Sequence, residues 1–539
     1  MSSGPTNADL AAALEEYAAL LELSGANTYA TRAFRRGATL IRGTPADVTA
    51  LVREGRVRSL RGIGPGIEQR LSELVATGEI AELEQLRREA SLELAAFGRM
   101  HGLSAERFVK IGAALDIRTV PELRDAAARG RLREVPGIGP STEAAILAAL
   151  DAPTVPRPGS LLLHRAQALC AEIAEALGGI AAGDPRRWRD TPARLTVVVA
   201  TDAPDDARAR FAALPAIVAL IEPCVGVTVD GTPVELVTTT ASELGTALVR
   251  ATGSADYVAA LEPLPPAPDE EALYRLIGRP YLPPELRELP VASPPAGLIE
   301  SGAIRGDLHC HTTWSDGSAT VRELAQAAIE LGYDYVAVCD HTTSVGVVPG
   351  LDADAVRRQA EEVAAVNAEL APFRMLRGIE CDILPDGRLD LPDEVLSELD
   401  WVQISLHAGQ RAPRREITAR VIHAMHHPAA RCLSHPTGRI IGHRPENKLD
   451  LERTIETAIE TGVALEVNGL PSRLDLSGEH VREAVTAGVD IVCSSDAHSV
   501  AAMDTMRFAV HTARRGAVPA SAVVNARGLV EQGGPLARR

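Results

Sequence analysis

The sequence predicts a multidomain protein with a helical N-terminal part, an α+β middle and a C-terminal α/β barrel of seven strands. Three observations predict it. Its 539 residues are enough for about three to five domains at roughly 100–200 residues each. Apolar residues recur at helical spacing through residues 1–150, whereas short apolar runs alternate with helical stretches from about residue 303 onwards. Twelve of the 14 histidines lie beyond residue 300, most of them just after those apolar runs. Composition sets the outer limits. With 46% hydrophobic and 24% charged residues, the chain is not largely disordered. It has no run of about 18 apolar residues, so no membrane span or membrane partner is expected. The opening MSSGPTNADLAAALEEYAALLELSG lacks a basic start and carries acids inside its apolar stretch, so no secretory leader is expected. Seven cysteines without a CxxC pair point to a reducing compartment and a cytoplasmic location.

In chain order, ADLAAALEEYAALLEL and IEQRLSELVATGEIAELEQLRREA carry the helical periodicity of the first domains. The net charge of −17 argues against nucleic-acid binding only as an average. Between residues 31 and 70, nine arginines (32, 35, 36, 42, 53, 56, 58, 61 and 70) face three acids, Asp47, Glu54 and Glu68. Local charge decides where a phosphate backbone docks. Two near-identical turns stand out, LRGIGPGIEQRL at 60–71 and VPGIGPSTEAAI at 135–146. The first contains Gly62, Gly64 and Gly66, and the second Gly137, Gly139 and Ser141. Two glycines around one apolar residue make a helix-hairpin-helix turn that exposes backbone N–H groups at a helix N-terminus, where a phosphate oxygen can sit. These six residues are the candidate DNA-backbone contacts. MHGLSAERFVKI at 100–111 is a weaker third copy. Farther on, LTVVVAT (195–201) and GVTVDGTPVELVTT (226–239) read as strands, the second pair turning at Asp230-Gly231. LPVASPPAGLIESG (289–302) reads as a linker.

Six of the seven apolar runs beyond it end in residues with metal-ligand chemistry. They are His309 and His311, Asp340 and His341, Glu380, His407, His435, and Asp496 with His498; VALEVNG, the seventh, ends near Asn468. In a parallel β/α barrel the C-terminal strand ends build the active site. Imidazoles and carboxylates suit Zn, Mn or Fe, and closely spaced metals both clamp a phosphoryl group and activate water near pH 7.

The motifs DLHCHTTWSDG (307–317), CDH (339–341), RGIECDIL (377–384), SLHAG (405–409), SHPTGR (434–439) and SSDAH (494–498) resemble the PHP (polymerase and histidinol phosphatase) domain. Their order is similar to that in bacterial family X DNA polymerases, and the resemblance covers nearly the whole chain. It implies helical helix-hairpin-helix domains at 1–85 and 86–152, a nucleotidyltransferase-like palm at 153–240, a thumb-like part at 241–290, a linker at 291–302 and a PHP barrel at 303–539. It also implies a cluster of three ions (Mn, Zn or Fe) held by His309, His311, Asp316, His341, Glu380, His407, His435, Asp496 and His498. Arg439 and Arg473 match positions with substrate-phosphate roles. Asp340, beside His341, is expected to orient that imidazole or relay a proton. DNA is the implied partner, with other repair factors beside it.

The palm departs from the family pattern. Its Asp-x-Asp pair falls on Arg194 and Thr196, and its third carboxylate on Glu235. Two-metal nucleotidyl transfer needs carboxylates, and a guanidinium repels the metal. With the palm read as inactive, the resemblance implies a DNA-binding, metal-dependent phosphoesterase of DNA repair, first of all a 3′–5′ exonuclease, with abasic-site endonuclease or 3′-phosphatase activity as further options and polymerase activity lost. The competing readings are an active gap-filling polymerase, a small-molecule phosphatase of the histidinol-phosphatase type, and a non-enzymatic scaffold on DNA.

Overall fold

The structure is a computed structural model that describes residues 5–528 except 24–27, 45, 61, 90, 152–160, 289–292 and 347. Of the arginines counted above, Arg61 and the side chain of Arg42 lie outside the described residues. The chain forms two compact units. One comprises Met1–Gly159, Ile173–Gly179 and Ala193–Thr238, the other Ser160–Glu172, Ile180–Pro192 and Thr239–Arg539. Residues 180–192, which the sequence reading places in the palm, thus belong to the unit that holds the barrel.

In the first unit, helices Asn7–Leu23, Thr28–Gly43 and Pro65–Thr77 bury Leu10, Leu14, Ile41 and Leu71 together. Helices Ala105–Leu115, Val120–Ala128 and Pro140–Asp151 gather around Phe108, Ile111, Leu123 and Ile146. The two glycine turns have the same build. Each follows a 3-10 turn, Val57–Ser59 or Arg131–Glu134. Each has its first glycine in the left-handed region, with φ of 112° at Gly62 and 87° at Gly137. In each, the amide of the buried isoleucine donates to the carbonyl three residues back at 3.1 Å, Ile63 to Leu60 and Ile138 to Val135. Pro65 and Pro140 then open the helices, where a fixed φ and a missing N–H cost nothing. The third stretch is built differently. The Leu103 amide reaches back to the Gly98 carbonyl at 2.7 Å, and a side chain, that of Ser104, caps the next helix. Without the first glycine the pattern does not reproduce the turn. Strands Leu195–Ala200, Pro233–Thr239, Val225–Val227 and Ala219–Glu222 lie side by side in that order, the last three antiparallel. Gly231, at φ 79°, turns the expected hairpin.

The second unit is built on seven strands: β1 Gly306–Cys310, β2 Tyr335–Val338, β3 Arg374–Asp382, β4 Trp401–Ser405, β5 Cys432–Leu433, β6 Ala464–Asn468 and β7 Ile491–Ser494. Neighbours pair in parallel and in sequence order. A parallel bridge from Cys310 to Ala497 carries the end of β7 back to β1, so the barrel is nearly closed. A helix follows every strand, as right-handed parallel connections require. Residues two apart on a strand share a face, and the inward face changes character along its length. Leu376, Trp401, Cys432, Ala464 and Val492 belong to one buried apolar cluster. Two to four residues later, on the same strands or, for Ser434, one residue beyond its strand, stand Glu380, Gln403, Ser434, Glu466 and Ser494, all buried and polar. The barrel therefore has an apolar floor and a polar mouth.

Beside the barrel, helices Leu244–Thr252, Ala255–Ala259 and Glu270–Leu276 pack around Tyr257, Leu273 and Tyr274. Part of the expected linker, 289–292, lies outside the described residues. Its far end is no loose spacer. Ile299 is fully buried, and its amide donates to the Val518 carbonyl at 2.9 Å. An apolar residue there has a core to join. No helix among the described residues is long and apolar enough to cross a membrane.

Candidate metal centre

β1 contributes His309 and, one residue beyond its end, His311. Both are fully buried, and their Nε2 atoms lie 3.1 Å apart. β3 contributes Glu380, on which the imidazoles of four other segments converge. Its Oε2 is 2.8 Å from His341 Nδ1 and 3.5 Å from His309 Nε2. Its Oε1 is 3.0 Å from His435 Nε2 and 3.5 Å from His407 Nε2. Beyond β7, Asp496 brings Oδ1 to 3.2 Å from His311 Nε2, and His498 stacks on His311 with ring centroids 4.1 Å apart. Asp316 faces His498 at 3.3 Å and both His311 and His341 at 3.6 Å. All nine residues expected to hold metal thus lie around one mouth. Their donor atoms form three groups, each able to hold a cation: His311, Asp316, His341 and His498; His309, His311 and Asp496; and His341, Glu380 and His407.

The electrostatics fit cations. Burial pushes the Glu380 carboxyl up, but His407, His309 and His341 outweigh it and hold it well below the usual range. Asp496 is held down likewise, against burial, by His309, His311 and His498. Burial alone would lower His309, yet Glu466, Asp496 and Glu380 raise it well above its ordinary value. Buried anions thus dominate the mouth. Nδ1 of His311 and of His435 is buried without a hydrogen-bond partner among the described residues. A borderline-soft divalent ion suits this mixture of imidazole and carboxylate.

Behind the mouth stands a ring of residues that sequence reasoning missed. Glu466, on β6 and fully buried, sits 2.6 Å from His309 Nδ1. It accepts from Gln403 Nε2 at 2.7 Å, from Ser494 Oγ at 2.6 Å and from the His435 amide at 2.5 Å. Asp382 Oδ1 lies 3.2 Å from His407 Nδ1. Such partners fix the orientation of an imidazole and raise its basicity as a ligand. The signal that could have found them is parity, since Glu466 stands two residues beyond Ala464 and Asp382 two beyond Glu380.

Two expected roles need correction. Asp340 does not orient the His341 ring. Its Oδ1 accepts from the Thr312 amide at 2.8 Å and from Ser315 Oγ at 2.5 Å, and its Oδ2 from Thr312 Oγ1 and Gln359 Nε2, both at 2.6 Å. It locks the turn that presents Asp316. Arg439 is likewise committed within the protein. Its Nε donates to the Arg473 carbonyl at 2.8 Å, an Nη to the Leu474 carbonyl, and Nη1 lies 2.8 Å from Asp190. Arg473 differs. Its Nε is 3.9 Å from Asp496 Oδ2, and its buried Nη1 has no hydrogen-bond partner among the described residues. The other histidines beyond residue 300, His423, His426, His427, His443, His480 and His511, lie on helices or loops and belong to none of the three donor groups.

Comparison with known proteins agrees with this layout. The profile described as "Helix-hairpin-helix domain" matches residues 5–80, and the profile described as "PHP domain" matches residues 307–469. The chain is 34% identical over 559 aligned residues to the "DNA polymerase/3'-5' exonuclease PolX" of Bacillus subtilis, covering 97% of both chains. The chain is also 33% identical over 202 residues to a "Probable phosphatase" of Acetivibrio thermocellus, which is 36% of this chain and 78% of that protein. Another "Probable phosphatase", from Caldicellulosiruptor saccharolyticus, is 27% identical over 201 residues, 36% of this chain and 79% of that one.

Proposed function

The chain belongs to the bacterial family X DNA polymerases that carry a C-terminal PHP domain, and on that premise we propose that it is a cytoplasmic 3′–5′ exonuclease of DNA repair whose nucleotide-adding site is lost. The observation that carries this reading is the convergence of three donor groups on one barrel mouth, with an unpartnered arginine nitrogen beside it. The three groups, with His435 completing the third through Glu380, would hold three ions. Bound divalent ions supply a Lewis acid for the phosphoryl oxygens and lower the pKa of water. The chain's own residues do the rest. Glu466, which accepts from Gln403, holds His309, Asp382 holds His407, and Asp340 fixes the turn of Asp316. Arg473 offers Nη1 to a non-bridging phosphoryl oxygen.

A single strand labelled at either end tests the reading. With Mn, the full chain should release a 3′ label first and shorten a 5′-labelled strand stepwise, and a chelator should stop both. Hydrolysis of a small phosphomonoester with no shortening of DNA would instead favour the phosphatase reading.

The glycine turns supply the grip on DNA in this proposal. Gly62 and Gly137 are glycines because their φ is positive. Gly64, Gly66 and Gly139 are not. A Cβ at any of them meets nothing within 4 Å among the described residues, and none lies in the left-handed region. Their smallness serves something outside the protein, the close approach of a phosphate. Gly64→Ala with Gly139→Ala should leave the melting temperature unchanged and weaken oligonucleotide binding about tenfold, or about 1.4 kcal/mol. Hydrolysis of a small chromogenic phosphodiester should be spared. Fluorescence anisotropy and a thermal melt read the two effects.

In the palm, Arg194 Nη1 donates to Glu235 Oε2 at 2.7 Å. The one carboxylate expected to remain there is therefore paired with a cation from the protein itself. Primer extension with Mg or Mn and dNTPs should show no nucleotide addition, and an extended primer would reverse this part of the reading.

A further inference from the structure

The exonuclease site is buttressed from a segment that precedes the barrel. Residues Gly183–Arg186 form a short helical turn, and the chain runs on through Arg187 and Trp188 to Asp190. The segment is held firmly in the unit that contains the barrel. Arg186 pairs with Glu270 at 2.7 Å, and Arg187 donates to the Thr252 carbonyl at 2.7 Å and to Glu288 at 3.1 Å. Trp188 stacks on His511 with centroids 3.7 Å apart and planes 2° from parallel. It also packs against the small cluster of Leu163, Ile441, Leu474 and Phe508.

Asp190 ends this segment, buried, with Oδ2 2.8 Å from Arg439 Nη1 and Oδ1 3.6 Å from Arg515 Nη1. Burial would push its carboxyl up, yet Arg439 and Arg515 hold it below the usual range, so it is an anion. Arg439 in turn spends its other nitrogens on the carbonyls of Arg473 and Leu474. Those carbonyls belong to a tight turn in which the amides of Arg473 and Leu474 both return to Leu470. Leu474 is fully buried with φ 46°, a conformation that a leucine rarely adopts, so the turn depends on the contacts that hold it. What projects from it beside Asp496 is the Arg473 side chain with its unpartnered Nη1.

We propose that Asp190 is a positioning residue of the exonuclease: by holding and neutralising Arg439 it fixes the 470–474 turn, and thereby sets the Arg473 guanidinium against the substrate phosphate. The palm-derived segment is on this account a working part of the hydrolytic site. The proposal rests on the exonuclease reading above and adds to it a residue outside the barrel.

The test is a double-mutant cycle in the full chain, with Mn and a 3′-labelled single strand. Arg473→Ala and Asp190→Asn should each raise KM about tenfold, with bound Mn unchanged and kcat altered far less. The pair together should be hardly worse than Arg473→Ala alone, because both act through one guanidinium. Asp190→Glu should recover most of the loss. Arg439→Gln enters the same relay at its other end and should shift KM alike, which keeps the test open if an Asp190 variant fails to fold. Additive effects in the cycle, an unchanged KM in Asp190→Asn, or an unchanged KM in Arg473→Ala each overturn the proposal. A wild type that leaves DNA intact overturns the exonuclease reading itself, and is told apart by needing no variant.

Discussion

Glu380→Gln is expected to lower exonucleolytic turnover by roughly three orders of magnitude, about 4 kcal/mol of transition-state stabilisation, and to empty the site of most of its divalent ion. The reason is the number of groups that depend on this one carboxylate. Five imidazoles lie within 3.7 Å of its oxygens: His341, His435, His407, His309 and His311. An amide of the same shape keeps the packing but offers one neutral acceptor where two anionic oxygens stood. It also places an N–H donor against ring nitrogens or cations. The groups built on His341, Glu380 and His407 and on His309, His311 and Asp496 would both feel the loss. The check is steady-state hydrolysis with Mn, metal content after gel filtration, and a melting curve to show that the variant is folded. A folded Glu380→Gln protein with full metal content and near-normal turnover would refute the assignment of this mouth as the catalytic centre.

The second large effect concerns stability. Arg287 is fully buried, and its Nη1 lies 2.6 Å from Glu270 Oε1. The same carboxylate takes Arg186 on both oxygens at 2.7 and 2.8 Å. Burial would push Glu270 up, but hydrogen bonds from Arg186 and Arg287 bring it down to about 2. Glu270→Gln leaves a buried guanidinium uncompensated and should cost about 3–5 kcal/mol, read from the urea midpoint. The pH dependence follows from the same shift. An unfolded glutamate titrates near about 4.3, so this group's contribution is complete above that pH and disappears as pH falls towards about 2. Glu285, also brought to about 2 by His511 and Arg514 against burial, adds to the same window. Wild-type stability should therefore fall between about pH 4.5 and 2, and Glu270→Gln should show a shallower fall. Identical acid profiles for the two proteins would contradict this account.

Much of the site was legible because strand ends announce themselves. Each of the seven apolar runs forms a barrel strand, and at the ends of six of them stand ligand-type residues that, Asp340 apart, lie around the same mouth. The glycine turns were legible for a local reason too, since two copies with both glycines share one geometry and the copy lacking the first does not. Glu466 was overlooked because it lies inside a strand, two residues before Asn468, where an apolar context hides a single acid. The far end of the expected linker looked like a spacer because proline and glycine dominate its composition. Nothing in that composition says that Ile299 has a buried place waiting beside Val518.

By itself the sequence determined which chemical groups the barrel mouth would contain and where the backbone would turn tightly. Both follow from residue type and from spacing along a few neighbouring positions. Only the tertiary structure decided which of those groups remain available. Asp340 is consumed by Thr312, Ser315 and Gln359, and Arg439 by two carbonyls and Asp190, while Arg473 keeps a nitrogen without a partner. A buried polar group must be bonded to something. Whether that something is a neighbour brought from 249 residues away, as Asp190 is for Arg439, or a substrate is settled by packing that no local pattern encodes.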